Sequence, residues 1–238
     1  MAELRWLAPD DPPEAFPSPH RALRDPNGLL AVGGDLSPER LLAAYRRGIF
    51  PWFNEGQPIL WWSPEPRAVL LPGELHVSRS LRRTLKRDRF TVSVDQAFDA
   101  VIAGCAESRA ATGTWITPEM RQAYQSLFEL GHAHSVEIWQ GETLTGGLYG
   151  VAIGRMFAGE SMFSAVTDAS KVALVTLADR CLALGVELID CQLPTPHLES
   201  LGSRCLPRQE FLQRVKRLQA LQPLKPWVAG PVASSELL

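Results

Sequence analysis

The sequence lacks the features that mark several large classes of protein. No apolar run approaches the roughly 18 residues that a membrane-spanning helix needs. No signal-peptide core follows the acidic, proline-rich start. The chain also contains neither a GxxxxGK[S/T] phosphate loop nor a GxGxxG loop. We therefore expect a globular, cytoplasmic protein that has no membrane segment and uses neither nucleotide-binding loop.

Cysteine is scarce, and no C-x-x-C pair occurs. The cysteines stand far apart in the sequence, at Cys105, Cys181, Cys191 and Cys205. Unpaired thiols in a reducing compartment are therefore a better prediction than a disulfide framework or a zinc site. The two histidines of His132-x-His134 have a spacing seen in metal sites, but no further Cys, His or acidic pair completes one. We predict neither a metal nor a cofactor.

Charge is nearly balanced, because the net charge is -2 over 238 residues. Any contact with nucleic acid must therefore use a local patch. One candidate, which we call the basic stripe, has cations at the spacing of one helix face and no acid among them: Arg79, Arg82, Arg83, Lys86 and Arg87. Such a stripe can contact several phosphates, although a solvated helix face has the same pattern.

The order of predicted elements indicates an α+β protein with two domains. Residues 8–28 are rich in proline and turn residues, and Ser37-Pro38 is typical of a helix start. An aromatic segment punctuated by proline follows, so we predict a small N-terminal domain over residues 1–65 and a larger one over 66–238. In the larger domain, an antiparallel meander with one helix crossing to a late strand predicts a mostly antiparallel central sheet.

That late strand, Val186–Gln192, ends in polar and reactive residues. Side chains alternate along a strand, so Asp190 and Gln192 are expected on one face and Cys191 on the other. A carboxylate beside an amide suits a site that handles an amine and a carbonyl, but polar residues at strand ends also cap turns. A nucleophilic pair of Cys191 with His197 is less favoured because Cys191 is predicted to face away from Asp190 and Gln192.

Tryptophans supply further candidates. Trp52 and Trp115 lie in loop-like contexts and could stack on bases, whereas Trp61 and Trp62 are predicted to pack in a core or a domain interface. Glu160 ends the strand that carries Phe157. It either positions an amine or a ribose hydroxyl, or is a surface acid on an edge strand.

Several segments, in this order, resemble the bacterial leucyl/phenylalanyl-tRNA–protein transferases over roughly residues 16–213. They are Pro26–Leu36, Arg47–Phe53, Trp61–Pro64, Gly113–Thr117, Gly131–Ser135, Gly159–Phe163 and Ile189–Gln192. The resemblance implies a larger domain similar to GNAT acetyltransferases. It also implies transfer of Leu or Phe, and Met weakly, from aminoacyl-tRNA to proteins with N-terminal Arg or Lys, which marks them for degradation. No cofactor is implied because the aminoacyl ester is already activated, and we expect a monomer.

The same resemblance implies roles for individual residues. Trp52 and Trp115 match residues that hold the terminal adenosine, and Glu160 matches a partner near the ribose or the aminoacyl amine. Asp190 and Gln192 match the pair assigned to chemistry or acceptor placement. The pocket for the Leu or Phe side chain is matched by Leu148, Phe157, Leu174 and Leu177. The cluster that binds the tRNA body is matched by Arg79, Arg83, Lys86 and Arg87.

Two departures and two alternative functions accompany this interpretation. Leu177 stands where some members have Phe, and Thr195 stands where others have Asn. A GNAT-type acetyltransferase that uses acyl-CoA is one alternative, but the glycine-rich pyrophosphate loop is missing and Ala169-Ser170-Lys171 precedes the relevant helix. A non-catalytic RNA-binding module is the other, and it leaves Asp190 and the apolar pocket without a role.

Overall fold

The computed structural model of the protein describes residues 4–87, 89–109 and 113–232. Residues 233–238, the end of the predicted larger domain, lie outside this range. The described residues form two β-sheets and seven α-helices, so the predicted α+β class is confirmed. None of the helices in the described ranges combines the length and apolar character needed to cross a membrane.

The N-terminal part of the chain forms a four-stranded sheet and one helix. Its strands are β1 (Arg5–Leu7), β2 (Leu29–Gly33), β3 (Phe50–Pro51) and β4 (Leu60–Trp62), in the order β1-β2-β4-β3. Helix α1 (Pro38–Tyr45) begins where the sequence predicts, because Pro38 is its first residue and the Ser37 hydroxyl accepts a hydrogen bond from the Arg40 amide. Within the predicted arm, Pro19–Arg21 forms a short 3₁₀ helix.

The rest of the chain builds an eight-stranded sheet. Its strands are β5 (Arg67–Leu70), β6 (Thr91–Val94), β7 (Ala133–Gln140), β8 (Thr143–Ile153), β9 (Met156–Ser164), β10 (Leu188–Gln192), β11 (Arg204–Leu206) and β12 (Gly230–Val232). The order is β11-β5-β10-β9-β8-β7-β6-β12, and in the described chain every neighbouring pair is antiparallel except β9 with β10. The predicted mostly antiparallel sheet is therefore confirmed.

Six helices accompany this sheet. They are α2 (Arg79–Leu85), α3 (Phe98–Glu107), α4 (Pro118–Glu129), α5 (Ala169–Leu184), α6 (Pro196–Ser200) and α7 (Arg208–Leu218), with a 3₁₀ turn at Pro72–Glu74. Helix α5 makes the predicted crossing from β9 to β10. The end of this helix has a clear signal, because Gly185 ends it with a positive φ of 71°, a conformation that glycine adopts at low cost.

Two cores lie on opposite faces of the large sheet. Neighbouring strand residues alternate between them, so Leu148 packs with α5 whereas Tyr149 packs with α3 and α4. The core that contains Tyr149 also includes side chains from the N-terminal part, among them Tyr45 and the fully buried Trp61. The indole of Trp61 donates to the Gly33 carbonyl at 2.9 Å, which confirms its predicted place in the core.

The sheet is interrupted at two adjacent strands. In β9, Glu160 is an extra residue, because Tyr149 pairs with Ser161 and Gly150 pairs with Gly159. In β10, the register with β5 shifts between Asp190 and Gln192. The pairing of β9 with β10 ends at Ala158 and Asp190. Beyond that point no backbone pairing joins the two strands, which leaves space for a site between them.

Candidate active site

A cavity of about 290 Å³, which we call the apolar cavity, opens where β9 and β10 part. Its apolar walls come from β8, β9, α5, β10 and the start of α6: Leu148, Met162, Leu174, Leu177, Ile189 and Leu198. Leu174 and Leu177 lie three residues apart on α5, so they share one face of that helix. The structure thus brings together three of the four predicted pocket residues.

Phe157, the fourth predicted pocket residue, does not line the apolar cavity. It lies in the paired part of β9, opposite Ile189 of β10, and it is fully buried in the core against α5. Its ring lies 5.7 Å from that of Trp227. Phe157 therefore lies beneath the site as packing.

A second cavity of about 310 Å³, which we call the aromatic cleft, contains both candidate stacking residues. Trp52 is 42% exposed and Trp115 is half-buried. Trp62 holds Trp52 in place, because its indole donates to the Trp52 carbonyl at 2.7 Å and the two rings meet edge to face at 5.7 Å. An exposed tryptophan with a fixed backbone presents an apolar surface suited to a planar ligand.

The apolar cavity and the aromatic cleft share one wall. The residues that line both are Arg109, Glu160, Gln192 and Leu193. A ligand with a planar group in the cleft and an apolar group in the cavity would therefore place the bond between them beside a carboxyl, an amide and a guanidinium. Sequence reasoning found Glu160 and Gln192 but missed Arg109, which follows the end of α3 and carries no motif of its own.

Glu160 is held by neutral partners. Its Oε2 accepts from the Tyr124 hydroxyl at 2.7 Å, and its Oε1 accepts from the Gln192 amide at 2.9 Å. The Tyr124 hydroxyl in turn lies 2.7 Å from that of Tyr45, on α1. Burial raises the pKa of Glu160 to about 7, and the nearby negative charge of Asp190 adds to the rise. The predicted alternative of a surface acid is wrong, because Glu160 is buried.

Asp190 has a different environment. Arg67 donates from Nε to Oδ1 and from Nη2 to Oδ2, both at 2.7 Å, and both side chains are almost fully buried. The Arg67 guanidinium also lies between the rings of Phe50 and Phe211, at 4.8 and 4.6 Å. Asp190 lines neither cavity; instead, its Oδ1 accepts from the Gln192 backbone amide at 3.0 Å. It therefore supports Gln192 from behind.

The expected alternation at the end of β10 is wrong. Gln192 has a positive φ of 64°, and the register shift makes Cys191 and Gln192 both line the apolar cavity, whereas Asp190 does not. His197 lines the same cavity, but no hydrogen bond links it to Cys191. Burial raises the pKa of the Cys191 thiol to about 12, which disfavours the thiolate that a nucleophile needs.

The four predicted tRNA-binding residues lie together on the surface. Arg79 and Arg83 are exposed on α2, and Lys86 and Arg87 directly follow it. No acid in the described part of the chain forms an ion pair with them. The opposite face of α2 buries Leu81 and Leu85, and the Thr84 hydroxyl donates to Asp168, the residue before α5, at 3.1 Å. Helix α2 is thereby fixed beside a helix that lines the apolar cavity.

Of the two histidines, His134 is used for packing. His134 Nδ1 lies 2.8 Å from an Asp95 carboxylate oxygen, and its ring stacks on Trp227 at 4.2 Å. Among the residues that the structure describes, no group of three or more His, Cys, Asp or Glu side chains could hold a metal ion.

Comparisons with known proteins cover most of the chain. The family model described as leucyl/phenylalanyl-tRNA protein transferase matches residues 69–216, and the model of that family's N-terminal domain matches residues 34–65. The leucyl/phenylalanyl-tRNA–protein transferase of Azotobacter vinelandii is 60% identical over 216 residues, which is 90% of this chain and 96% of the relative. The protein of the same name from Ectopseudomonas mendocina is 56% identical over 227 residues, or 95% and 100% of the two chains.

Among solved structures, a GCN5-related N-acetyltransferase from Kribbella flavida gives a TM-score of 0.37 at 14% identity, over 72% of this chain and 61% of that one. The two family models together match well over half of the chain, and the relatives match along nearly their whole length. This chain belongs to the leucyl/phenylalanyl-tRNA protein transferase family.

Proposed function

We propose that this protein transfers Leu or Phe, and Met more weakly, from aminoacyl-tRNA to the α-amino group of proteins whose N-terminal residue is Arg or Lys. Membership of the family makes the chain an aminoacyltransferase that moves an aminoacyl group from tRNA to protein. The identity of the amino acids, the basic acceptor terminus and the marking of the product for degradation belong to the proposal. So does action as a cytoplasmic monomer.

The observation that carries the proposal is the wall shared by the aromatic cleft and the apolar cavity. The terminal adenosine of the tRNA stacks between Trp52 and Trp115, where stacking contributes about 1–3 kcal/mol per base. The Leu or Phe side chain enters the apolar cavity. The ester that joins them then lies beside Glu160 and Gln192, which line both spaces.

The apolar cavity and the basic stripe explain which donors the protein accepts. Apolar pockets discriminate by about 1–3 kcal/mol per methylene, so a side chain as similar in size as Met is only partly rejected. The basic stripe gives the tRNA body a surface of cations that form no ion pair with any acid in the described part of the chain, and such contacts weaken as salt rises. Positioning the ester and the amine together supplies a large part of the rate, since the ester needs no further activation.

The test is label transfer from Leu-tRNA and Phe-tRNA to matched peptides that begin with Arg, Lys or Ala. Transfer to the Arg and Lys peptides but not to the Ala peptide is expected. An Arg peptide with an acetylated amine is the control, and it should receive no label. Absence of transfer with tRNA binding intact would favour an RNA-binding module, and label transfer from acetyl-CoA would favour an acetyltransferase.

A further inference from the structure

Two carboxyl groups lie near the shared wall, but only one can reach a substrate. Both oxygens of Asp190 accept hydrogen bonds from Arg67, and Asp190 is 1% exposed. Glu160 lines both the apolar cavity and the aromatic cleft. Proton transfer requires a group within hydrogen-bonding reach of the reacting atoms, so geometry selects Glu160 over Asp190.

The hydrogen bonds of Glu160 leave it able to accept a proton. Tyr124 and Gln192 each occupy one carboxylate oxygen, and a carboxylate has about four acceptor positions. Neither partner is a cation, so neither fixes the carboxyl in its charged form. A pKa of about 7, caused mainly by burial, lets this group both take and give a proton near neutral pH.

On the basis of the function proposed above, we propose that Glu160 is the general base and acid of the transfer reaction. The acceptor amine, which has already lost its ammonium proton to solvent, attacks the ester carbonyl. Glu160 takes the proton that the nitrogen releases as the N–C bond forms. It returns that proton to the ribose oxygen as the C–O bond breaks and the bonding electron pair leaves with that oxygen. The products are an amide and a free ribose hydroxyl, and no other reactant is required.

Gln192, Tyr124 and Tyr45 are positioning residues in this scheme. Gln192 and Tyr124 hold the two oxygens of Glu160, and Tyr45 holds the Tyr124 hydroxyl. Asp190 acts through the Gln192 backbone amide. The titratable and charged groups that face Glu160 come from α1, α4, β8, β10 and the end of α3: Tyr45, Tyr124, Tyr149, Asp190 and Arg109.

The experiment measures single-turnover transfer from Leu-tRNA as a function of pH. The acceptor is an Arg peptide whose α-amine is replaced by an aminooxy group, which stays neutral across this range, so that a rise in rate near pH 7 reports on the enzyme. For Glu160→Gln we expect a loss of about 10²–10⁴-fold in rate, no rise near pH 7, and a much smaller change in Leu-tRNA affinity. Transfer by E160Q within about threefold of wild type, or a retained rise near pH 7, would overturn the proposal.

Tyr124→Phe provides a second test, because this variant keeps Glu160 and its pH profile can be measured. The Tyr124 hydrogen bond lowers the pKa of Glu160, so its removal should move the midpoint of the pH profile upward while transfer persists. An unmoved midpoint would contradict the proposal even if E160Q failed to fold. If the wild type itself transfers no label, the proposed function fails. If the wild type transfers label normally but neither the loss of rate in E160Q nor the shifted midpoint in Tyr124→Phe is found, only the role of Glu160 fails.

Discussion

Arg67 and Asp190 form a two-point ion pair, with both N–O distances at 2.7 Å and both residues about 1% exposed. The pair joins β5 to β10 directly behind Gln192. An ion pair of this kind is strongly destabilising to break, because removal of one partner leaves an uncompensated buried charge. These contacts favour a structural role for Asp190, which contacts the Gln192 backbone, over the chemistry expected of it from sequence.

Replacing Arg67 with Met should destabilise the protein by about 3–5 kcal/mol, since Asp190 would be left buried without its ion-pair partner. Urea unfolding followed by circular dichroism measures the change. Arg217→Met is the matched control, because Arg217 pairs with Glu187 at an exposed position, so its loss should reduce stability much less than the loss of Arg67. A similar loss of unfolding free energy in the two variants would show that the buried ion pair contributes no more to stability than the exposed one.

Stability should depend on pH through Glu160. Its pKa in the folded protein, about 7, lies above the ordinary value of 4.5, so the folded state binds the proton more tightly than the unfolded chain. This contribution is complete below about pH 4 and is lost as pH rises through 7. Glu160→Gln lacks this titration. The free energy of unfolding of the variant minus that of the wild type should therefore rise by about 3 kcal/mol as the pH increases from about 4 to about 8. A difference that does not vary with pH would contradict this expectation.

Leu174→Ala should change the choice between donors. It enlarges the apolar cavity, so the rate of Leu transfer should fall relative to that of Phe by about tenfold or more. Leu184→Ala is the matched control, because Leu184 is buried on the same helix, α5, but does not line the cavity. Both substitutions should destabilise the fold by about 2–5 kcal/mol, so rates are compared at a temperature where both variants remain folded. Equal changes in the ratio of Leu to Phe transfer for the two variants would show that Leu174 does not contact the donor side chain.

The basic stripe should set the salt dependence of tRNA binding. Arg83→Gln combined with Lys86→Gln should reduce the slope of log affinity against log salt by about 2, because each phosphate contact contributes about 1. Titrations at several salt concentrations measure the slope. Arg214→Gln with Arg217→Gln removes the same charge from α7, where both arginines pair with acids, and should leave the slope unchanged. An effect of equal size from both double variants would indicate a general charge effect.

The parts of the fold that sequence predicts are those encoded locally. Ser37 and Pro38 start α1 and Gly185 ends α5, each through a signal a few residues long. The sequence also identified Trp52 and Trp115 as separate candidates. Their shared cleft depends on contacts between distant segments, and no local pattern reports such contacts.

The sequence predictions fail where the local structure depends on residues that are distant in the sequence. The bulge at Cys191 is a mismatch between β10 and β5, so alternation along β10 alone could not predict it. Arg67 lies 123 positions from Asp190, and Tyr124 lies 36 positions from Glu160. In sequence, Tyr124 is one more apolar-face residue of an amphipathic helix, and only its hydroxyl, brought beside Glu160 by the fold, separates it from ordinary packing.

The N-terminal part supplies Phe50 against Arg67, Trp52 in the aromatic cleft and Tyr45 beside Tyr124. These three side chains reach the ion pair, the ligand surface and the buried carboxyl from outside the large sheet. The N-terminal part thus contributes side chains to the candidate site and is not merely attached beside it. A chimera that exchanges it between relatives must preserve all three contacts, and a chain that starts after it keeps the large sheet but lacks these three side chains.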